Sequence, residues 1–283
     1  MALFPIFIGG FGNRLYQLAN AFRLQDLYEC DLVFHDVIPQ NGDHNRFRFL
    51  IHKESDLDEF GGHVLIKKPG LPQSFVEIFP NLNWNLSITN LNEILKDKRI
   101  YFEHNVLEIE PDYDTALMGY FFNYQFIRDG ILKVKKNLNS KIFEYVNSNY
   151  PDLNNNKILG IHLRLGISTD NTAAVNVPKE LYENVIYDSK NNFDEIYVVS
   201  DNYDKAENFM SQFEIDKKVT FIKDEPMFVD MIILSKCSSL IIAPSTLSAW
   251  SAHLKEKQNQ IYVPKIWFSH HNTNIAPNSW TII

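Results

Sequence analysis

Ile158-Leu159-Gly160-Ile161-His162-Leu163-Arg164-Leu165-Gly166 is the stretch on which the reading of the fold turns. Ile158 to Ile161 is an unbroken apolar run, the pattern of a strand buried on both faces of a parallel sheet. Its continuation ends in His162 and Arg164, two residues apart, so both side chains point to one side. Beyond it, helix-length and strand-length stretches alternate. Helices are expected at 179–190, 205–213, 227–237 and 247–257, and strands at 195–200, 219–222, 240–243 and 261–263, the last closing the sheet. Such alternation predicts a doubly wound parallel sheet, whose ligands sit at the carboxyl ends of the strands.

On the N-terminal side of this strand, Tyr150-Pro151-Asp152-Leu153-Asn154-Asn155-Asn156 reads as a linker. It divides the chain into 1–150 and 151–283. The first half opens with a strand, Pro5 to Ile8, then Gly9-Gly10-Phe11-Gly12-Asn13. Leu15, Leu18, Ala19 and Phe22 follow at helical spacing, so a helix is expected from Asn13 to Tyr28, and Leu32-Val33-Phe34 as the next strand. This is one βαβ unit. Residues 36–49 are polar and read as a loop, 67–80 show no clear period, 117–126 is rich in aromatics, and 131–146 predicts one helix. The expected class is α/β, with two Rossmann-like halves facing a cleft.

Composition narrows the function. Of 283 residues, 45% are hydrophobic and 22% charged, which excludes a disordered tail, a fibrous repeat and a small disulfide scaffold. The formal net charge is −8, from 27 Lys and Arg against 35 Asp and Glu. Neutralising a nucleic-acid backbone needs the opposite balance, so no nucleic-acid partner is expected. No apolar run approaches the ~20 residues of a membrane helix, which leaves only peripheral membrane contact. Leu3 to Ile8 is too short for a signal core and lacks a basic leader. Cys30 and Cys237 belong to no metal pattern. A soluble protein of the reducing cytoplasm is expected.

Three turns suit a phosphate. Gly9 to Asn13 follows a strand and opens a helix, where glycines admit a ligand and helix N–H groups attract anions, though its spacing is not that of a dinucleotide fold; the alternative is a plain βα turn. Arg164 at a strand end can grip phosphate with two parallel hydrogen bonds, and His162 can bond a base; the alternative is a structural ion pair with a satisfied histidine. Ser245-Thr246 after the strand Ile241-Ile242-Ala243 should cap a helix, and its hydroxyls and N–H groups suit a phosphate, or it is a cap alone. Asp56-Leu57-Asp58 and Asp112-Tyr113-Asp114 match the DxD string of metal-dependent sugar transferases, but read better as solvated acidic surface. His270-His271 alone makes no metal site.

In their order, these pieces resemble the α-1,2-fucosyltransferase family (glycosyltransferase family 11), within a superfamily that includes the protein O-fucosyltransferases. Gly9-Gly10-Phe11-Gly12-Asn13 looks like the family's Gly-Gly-Leu-Gly-Asn motif, and Gly119-Tyr120-Phe121 like its Gly-Tyr-aromatic segment. His162-Leu163-Arg164 matches the start of His-x-Arg-Arg-Gly-Asp, and Tyr197 to Asp201 a strand ending in Ser-Asp. Asp230-Met231 with Cys237, Ser245-Thr246 through Trp250, Pro264 to Phe268 and Pro277 to Trp280 resemble later motifs, so the likeness is collinear over nearly the whole chain. It departs at Leu165, where a second Arg is usual, and at Ile167, where Asp is usual. Arg14 stands for Gln, Pro244 for Asn and Ala249 for Trp.

The resemblance implies a GT-B architecture. The N-terminal half would be the acceptor side, and the C-terminal half would bind GDP-β-L-fucose. It implies an inverting transfer of fucose to a glycan hydroxyl, galactose O2 in an α-1,2 linkage, with no cofactor and no metal. Arg164 and the helix start at Ser245-Thr246 would hold the diphosphate. His162 and the acidic pair near Asp224, or else Asp201, would read guanine. Gly10, Gly12 and Asn13 would face the donor. The general base is Asp170 or Asp36, unless the departing phosphate takes the proton. Two rival readings stay open: another GDP-sugar such as GDP-mannose or GDP-rhamnose, and a non-catalytic glycan- or nucleotide-binding protein.

Overall fold

The computed structural model describes residues 1–36, 66, 68–88, 90–102, 113–154, 157–165, 178–189, 192–255, 260–265, 267 and 275–283. The chain forms two units, Met1–Leu65 with Pro72–Asn139 and Ile66–Leu71 with Ser140–Ile283.

In the first unit, β1 (Ala2–Pro5), α1 (Phe11–Tyr28), β2 (Asp31–Leu32), α2 (Phe75–Ile78), α3 (Leu91–Leu95), β3 (Arg99–Phe102), β4 (Thr115–Met118), α4 (Tyr124–Ile127) and α5 (Ile131–Asn137) follow in order. The parallel sheet runs β2-β1-β4-β3, with Phe4 opposite Ala116 and Ala116 opposite Ile100. The first strand lies earlier than the apolar run predicts. After Pro5, the Ile6 N–H makes one more bond to Leu117 O at 2.9 Å, and the chain leaves the ladder. Ile6 and Ile8 are apolar because they are buried against Leu91, Ile94, Ala116 and Met118, not because they pair. The first helix begins two residues before its expected start, with Gly10 extended at its N-cap. Neither β3 nor β4 was foreseen: β4 is buried at all four positions, so it shows no alternation.

The single helix expected over 131–146 is two. The Asn139 N–H donates to Ile78 O and its Nδ2 to Glu77 O, both at 2.9 Å, and these bonds to the end of α2 replace helical ones. The apolar spacing continues across the break because Ile131 and Val134 are buried in the first unit and Ile142 and Val146 in the second. The expected division at 150/151 rested on the Pro/Asn stretch. Residues 140–149 belong instead with the second unit, and the stretch itself begins with a 3-10 turn, Pro151–Asn154.

The second unit contains α6 (Ser140–Asn149), β5 (Ile158–Leu163), α7 (Lys179–Ser189), β6 (Glu195–Ser200), α8 (Tyr203–Met210), β7 (Lys218–Phe221), α9 (Met227–Lys236), β8 (Ser239–Ile241), α10 (Thr246–His253), β9 (Ile261–Val263) and β10 (Thr281–Ile282). All strands are parallel, in the order β10-β9-β8-β5-β6-β7; β10 adds beyond the strand expected to close the sheet. Leu159, Ile161 and Leu163 pack under α7 and α8 with Tyr182, Val185, Ile186, Ala206 and Met210. On the other face, Gly160 lets the end of α9 come close. A Cβ there would stand 2.9 Å from Cys237 Sγ and 2.7 Å from Leu240 Cδ2. Arg164 and His162 share this parity.

Strand order locates the binding crevices. The chain leaves β5 for β6 and β7 on one side, then returns to β8, β9 and β10 on the other. The switch point therefore lies between β5 and β8, at Arg164 and Ser245-Thr246. In the first unit it lies between β1 and β4, at Gly9–Asn13 and Gly119–Phe121.

Candidate active site

At the first switch point the turn is fixed by backbone geometry, a side-chain amide clamp and one bond from an arginine. Gly9 has φ +72°, and an added Cβ would lie 2.5 Å from Asn13 Nδ2 and 3.1 Å from Tyr120 Cε1, so any other residue is strained there and displaces the Asn13 amide. Gln17 clamps Ile8: its Oε1 accepts the Ile8 N–H at 2.9 Å and its Nε2 donates to Ile8 O at 3.0 Å. Gly10 caps α1, Gly12 is buried in its first turn and Asn13 is half-buried. Arg14 folds back, its Nε donating to Gly9 O at 3.1 Å and its guanidinium lying 5.7 Å from the centre of the Phe75 ring. Burial pushes the Arg14 pKa down to about 10, against the charge of Asp36. Asp36 itself is exposed beyond β2. The sequence marked Arg14 only as a departure and did not single out Gln17; their signal is a position one turn past the glycines, where a helical side chain points back toward the turn.

The second edge is charged. Arg164 Nη1 lies 2.8 Å from Asp201 Oδ2, and Asp201 Oδ1 accepts the Leu165 N–H at 2.7 Å. Ser200 Oγ donates to Leu163 O at 2.8 Å, and Lys205 Nζ to Leu165 O at 3.0 Å. The end of β5 is thus tied at four points to the β6–α8 turn, and both oxygens of Asp201 are engaged in aiming Arg164 and its neighbour. His162 is buried. Ser245 occupies the N-cap of α10, but its side chain makes no cap bond, contrary to expectation; Ser248 Oγ fastens the turn instead, donating to Ala243 O at 2.9 Å. Thr246 is half-buried in the first turn.

Asp224 is exposed, with a left-handed backbone (φ 59°). The next residue, Glu225, is the buried member of the acidic pair. Its Oε1 accepts from Lys68 Nζ at 2.6 Å, Tyr150 OH at 2.7 Å and Tyr145 OH at 3.1 Å. Asp230 lies in the first turn of α9, buried, with Oδ1 lacking a hydrogen-bond partner among the described residues. Burial above all, then the charge of Glu225, holds its carboxyl well above the usual range, while Lys68 acts the other way. The sequence named Asp230 only within a motif. An acid inside the apolar run Phe228 to Leu234 was the signal available.

Asp170, with Gly166 and Ile167, lies outside the described residues, as do Asp56, Asp58, Asp112 and His270-His271. Asp114 Oδ1 accepts the Ala2 N–H at 2.8 Å. Among the described residues, no three His, Cys, Asp or Glu cluster as metal ligands, and no helix is long and apolar enough to cross a membrane. Both cysteines are free thiols.

No family model matches the chain. The O-antigen biosynthesis glycosyltransferase WbnK of Escherichia coli is 26% identical over 304 residues, spanning 96% of this chain and 97% of that protein. The fold is GT-B, and the chain is a glycosyltransferase. Among solved structures, the α-1,6-fucosyltransferase NodZ soaked with GDP-fucose superimposes with a TM-score of 0.52 at 13% identity, covering 89% of this chain and 92% of that one. NodZ co-crystallised with GDP gives 0.51 at 12% identity over 88% and 91%. NodZ has also been solved from Bradyrhizobium.

Proposed function

We propose that this glycosyltransferase moves L-fucose from GDP-β-L-fucose to a glycan hydroxyl, with inversion and without a metal, and that the acceptor position is galactose O2. The observation that carries the reading is Arg164, held by Asp201 at the switch point between β5 and β8, with the start of α10 on the neighbouring strand. A cation and a helix N-terminus at adjacent strand ends suit a diphosphate leaving group. The fold shared with a GDP-fucose-soaked enzyme supports the donor.

In this reading the second unit, Ile66–Leu71 with Ser140–Ile283, is the donor side and the first unit the acceptor side. Arg164, Ser245 and Thr246 hold the diphosphate. As the acceptor oxygen attacks the anomeric carbon from the face opposite GDP, the C1–O bond breaks and its electron pair goes to the phosphate. The pull of Arg164 strengthens as that charge develops. Guanine offers N1–H and N2–H donors, which a carboxylate accepts as a pair. Asp230, buried with Oδ1 lacking a hydrogen-bond partner among the described residues, suits this better than exposed Asp224 or the engaged Asp201, and His162 is the second candidate for the base. Gly10, Gly12 and Asn13 present the first turn to the donor. The acceptor's proton goes to Asp36 or Asp170. Two free thiols fit a reducing compartment.

The test is incubation with GDP-fucose, GDP-mannose and GDP-rhamnose over a glycan acceptor array, with and without EDTA, read by mass spectrometry. Fucosylated β-galactosides formed equally in EDTA are expected. Turnover only with another GDP-sugar, or none with any, would overturn the donor assignment, and activity restored only by Mn²⁺ would overturn the metal-free mechanism.

A further inference from the structure

The turn between β7 and α9 carries two buried carboxylates with unequal partners. Glu225 receives three donors on one oxygen, from Lys68, Tyr150 and Tyr145, while Oε2 is buried and has no hydrogen-bond partner among the described residues. Asp230 follows one turn into α9, with Oδ1 in the same condition. Lys68 arrives on the strap Ile66–Leu71, which joins this unit from a distant part of the chain. Its Nζ also donates to Tyr145 OH at 3.0 Å and lies 5.5 Å from that ring's centre. Three donors on one oxygen hold the Glu225 carboxylate in a single orientation at the start of the helix that carries Asp230.

We propose that Lys68 and Glu225 are a positioning pair for the donor's base: they fix the start of α9 and set the local charge under which Asp230 meets the N1–H and N2–H of guanine. This rests on the reading of Asp230 as the base contact. The two charges act in opposite senses. Glu225 is a like charge that opposes ionisation of Asp230, and Lys68 favours it. The other titratable groups at this edge are Asp224 in the turn, Tyr145 on α6, Tyr150 before the 3-10 turn, Tyr203 opening α8 and His162 on β5; His253 on α10 lies at the far end of its helix. Burial and the nearby acids push the Tyr150 and Tyr203 phenols up, so both stay neutral through the range tested.

The experiment is calorimetry of GDP and ADP on the full chain between pH 5 and 8.5, for the wild type, Lys68→Met, Glu225→Gln and Asp230→Asn. GDP binding should weaken toward acid as Asp230 takes up a proton. Lys68→Met should move that midpoint up by about one unit and weaken GDP roughly ten-fold at pH 7. Glu225→Gln should move it down and leave GDP at least as tight. ADP should change less than about three-fold in either, because it lacks the paired donors. Should Lys68→Met fail to fold, Lys68→Gln keeps a hydrogen-bond donor and must shift in the same direction. Two variants that weaken GDP and ADP alike, with no opposed midpoint shifts, reduce the pair to packing and overturn the proposal. If instead Asp230→Asn leaves the GDP-to-ADP ratio unchanged, the base contact itself is wrong, whatever the pair does.

Discussion

The two sheet edges solve the same geometric task with different chemistry. At the first, a left-handed Gly9, the Gln17–Ile8 amide clamp and a bond from buried Arg14 to a backbone carbonyl hold a turn that presents mostly backbone. At the second, Arg164–Asp201, Lys205 on Leu165 O, and Lys68–Glu225 beside Asp230 crowd charge around three strand ends. A rigid turn whose cation, Arg14, folds back on its own backbone carbonyl positions a ligand mainly through backbone groups. A charged edge supplies interaction that grows as a leaving group gains charge. Substitution of Arg164 should therefore act mainly on kcat, substitutions of Lys68 and Asp230 on GDP affinity, and those at the first edge mainly on turn geometry.

Arg164 gives the largest expected effect. Arg164→Ala should lower kcat by roughly 10²–10³, the usual cost of losing one donor to a developing oxyanion. The Tm should fall by a few degrees, because Asp201, 5% exposed at its side chain, loses its ion-pair partner but keeps the Leu165 N–H. Arg164→Lys should rescue only part of the rate, since an ammonium lacks the planar fork. Asp201→Asn should fall between wild type and Arg164→Ala, with Arg164 present but loosely aimed. Steady-state kinetics with GDP-fucose decide it: near-normal kcat in Arg164→Ala ends the leaving-group role.

Gly9→Ala tests the other edge, and Gly70→Ala is its control. Both glycines are left-handed, at φ +72° and +82°, so each alanine carries strain of about 1–2 kcal/mol. Nothing lies within 4 Å of a Cβ at Gly70, whereas at Gly9 it would displace Asn13 Nδ2 and press on Tyr120. Thermal melts should show a loss for both. Only Gly9→Ala should also raise KM for the donor, by about ten-fold if one hydrogen bond from Asn13 is lost. Equal kinetics for the two variants would separate Asn13 from the donor.

The same contrast explains what the sequence disclosed. The second sheet was legible strand by strand from β5 to β9, because its strands are continuous apolar runs divided by amphipathic helices. The first was legible only through β1, α1 and β2. Its β4 has four residues, buried on every side, and β10 of the second unit has two; neither is long enough to show a period. The helix break at Asn139 is set by tertiary bonds to Glu77 and Ile78, which no local pattern announces. Within the site, Arg164, His162 and Ser245 lie at strand ends and could be named. Glu225 could be named only as half of the acidic pair near Asp224, and Lys68 not at all, because their meeting joins positions far apart in the chain.

Asp230→Asn should trade function for stability. The Asp230 carboxyl is held above its unfolded pKa, so the stabilisation from its protonated form is complete below about pH 3.9 and is lost as pH rises toward the folded value. Asparagine never ionises and avoids that loss. The two proteins should melt together in acid, and the variant should melt a few degrees higher at pH 7 without ligand. Added GDP should narrow or reverse the gap, because only aspartate gains from the base. A variant less stable at pH 7 would mean that Asp230 is satisfied inside the folded chain.

The smallest effect again compares the two units, through one buried histidine in each. In the second, His253 near the end of α10 lies between Trp250, at 5.7 Å, and Trp280, at 4.8 Å, and burial pushes its pKa down to about 3. A helix C-terminus favours a cation, so desolvation outweighs the dipole here. In the first, burial lowers the pKa of His35, but its Nδ1 meets Asn85 O at 3.0 Å, and that bond works in the opposite direction. For both, the folded value lies below the unfolded one. Their stabilisation is therefore present above about pH 6.5 and is lost as pH falls toward the folded value. The window for His253 runs from about 6.5 to about 3, so its share of acid destabilisation should be the larger. Melts between pH 7 and 4.5 should flatten more in His253→Phe than in His35→Phe, each measured against its own value at pH 7. Equal slopes would show that His253 gains a proton in the folded state as readily as His35, and that the Trp250–Trp280 packing opens to admit water before the unit unfolds.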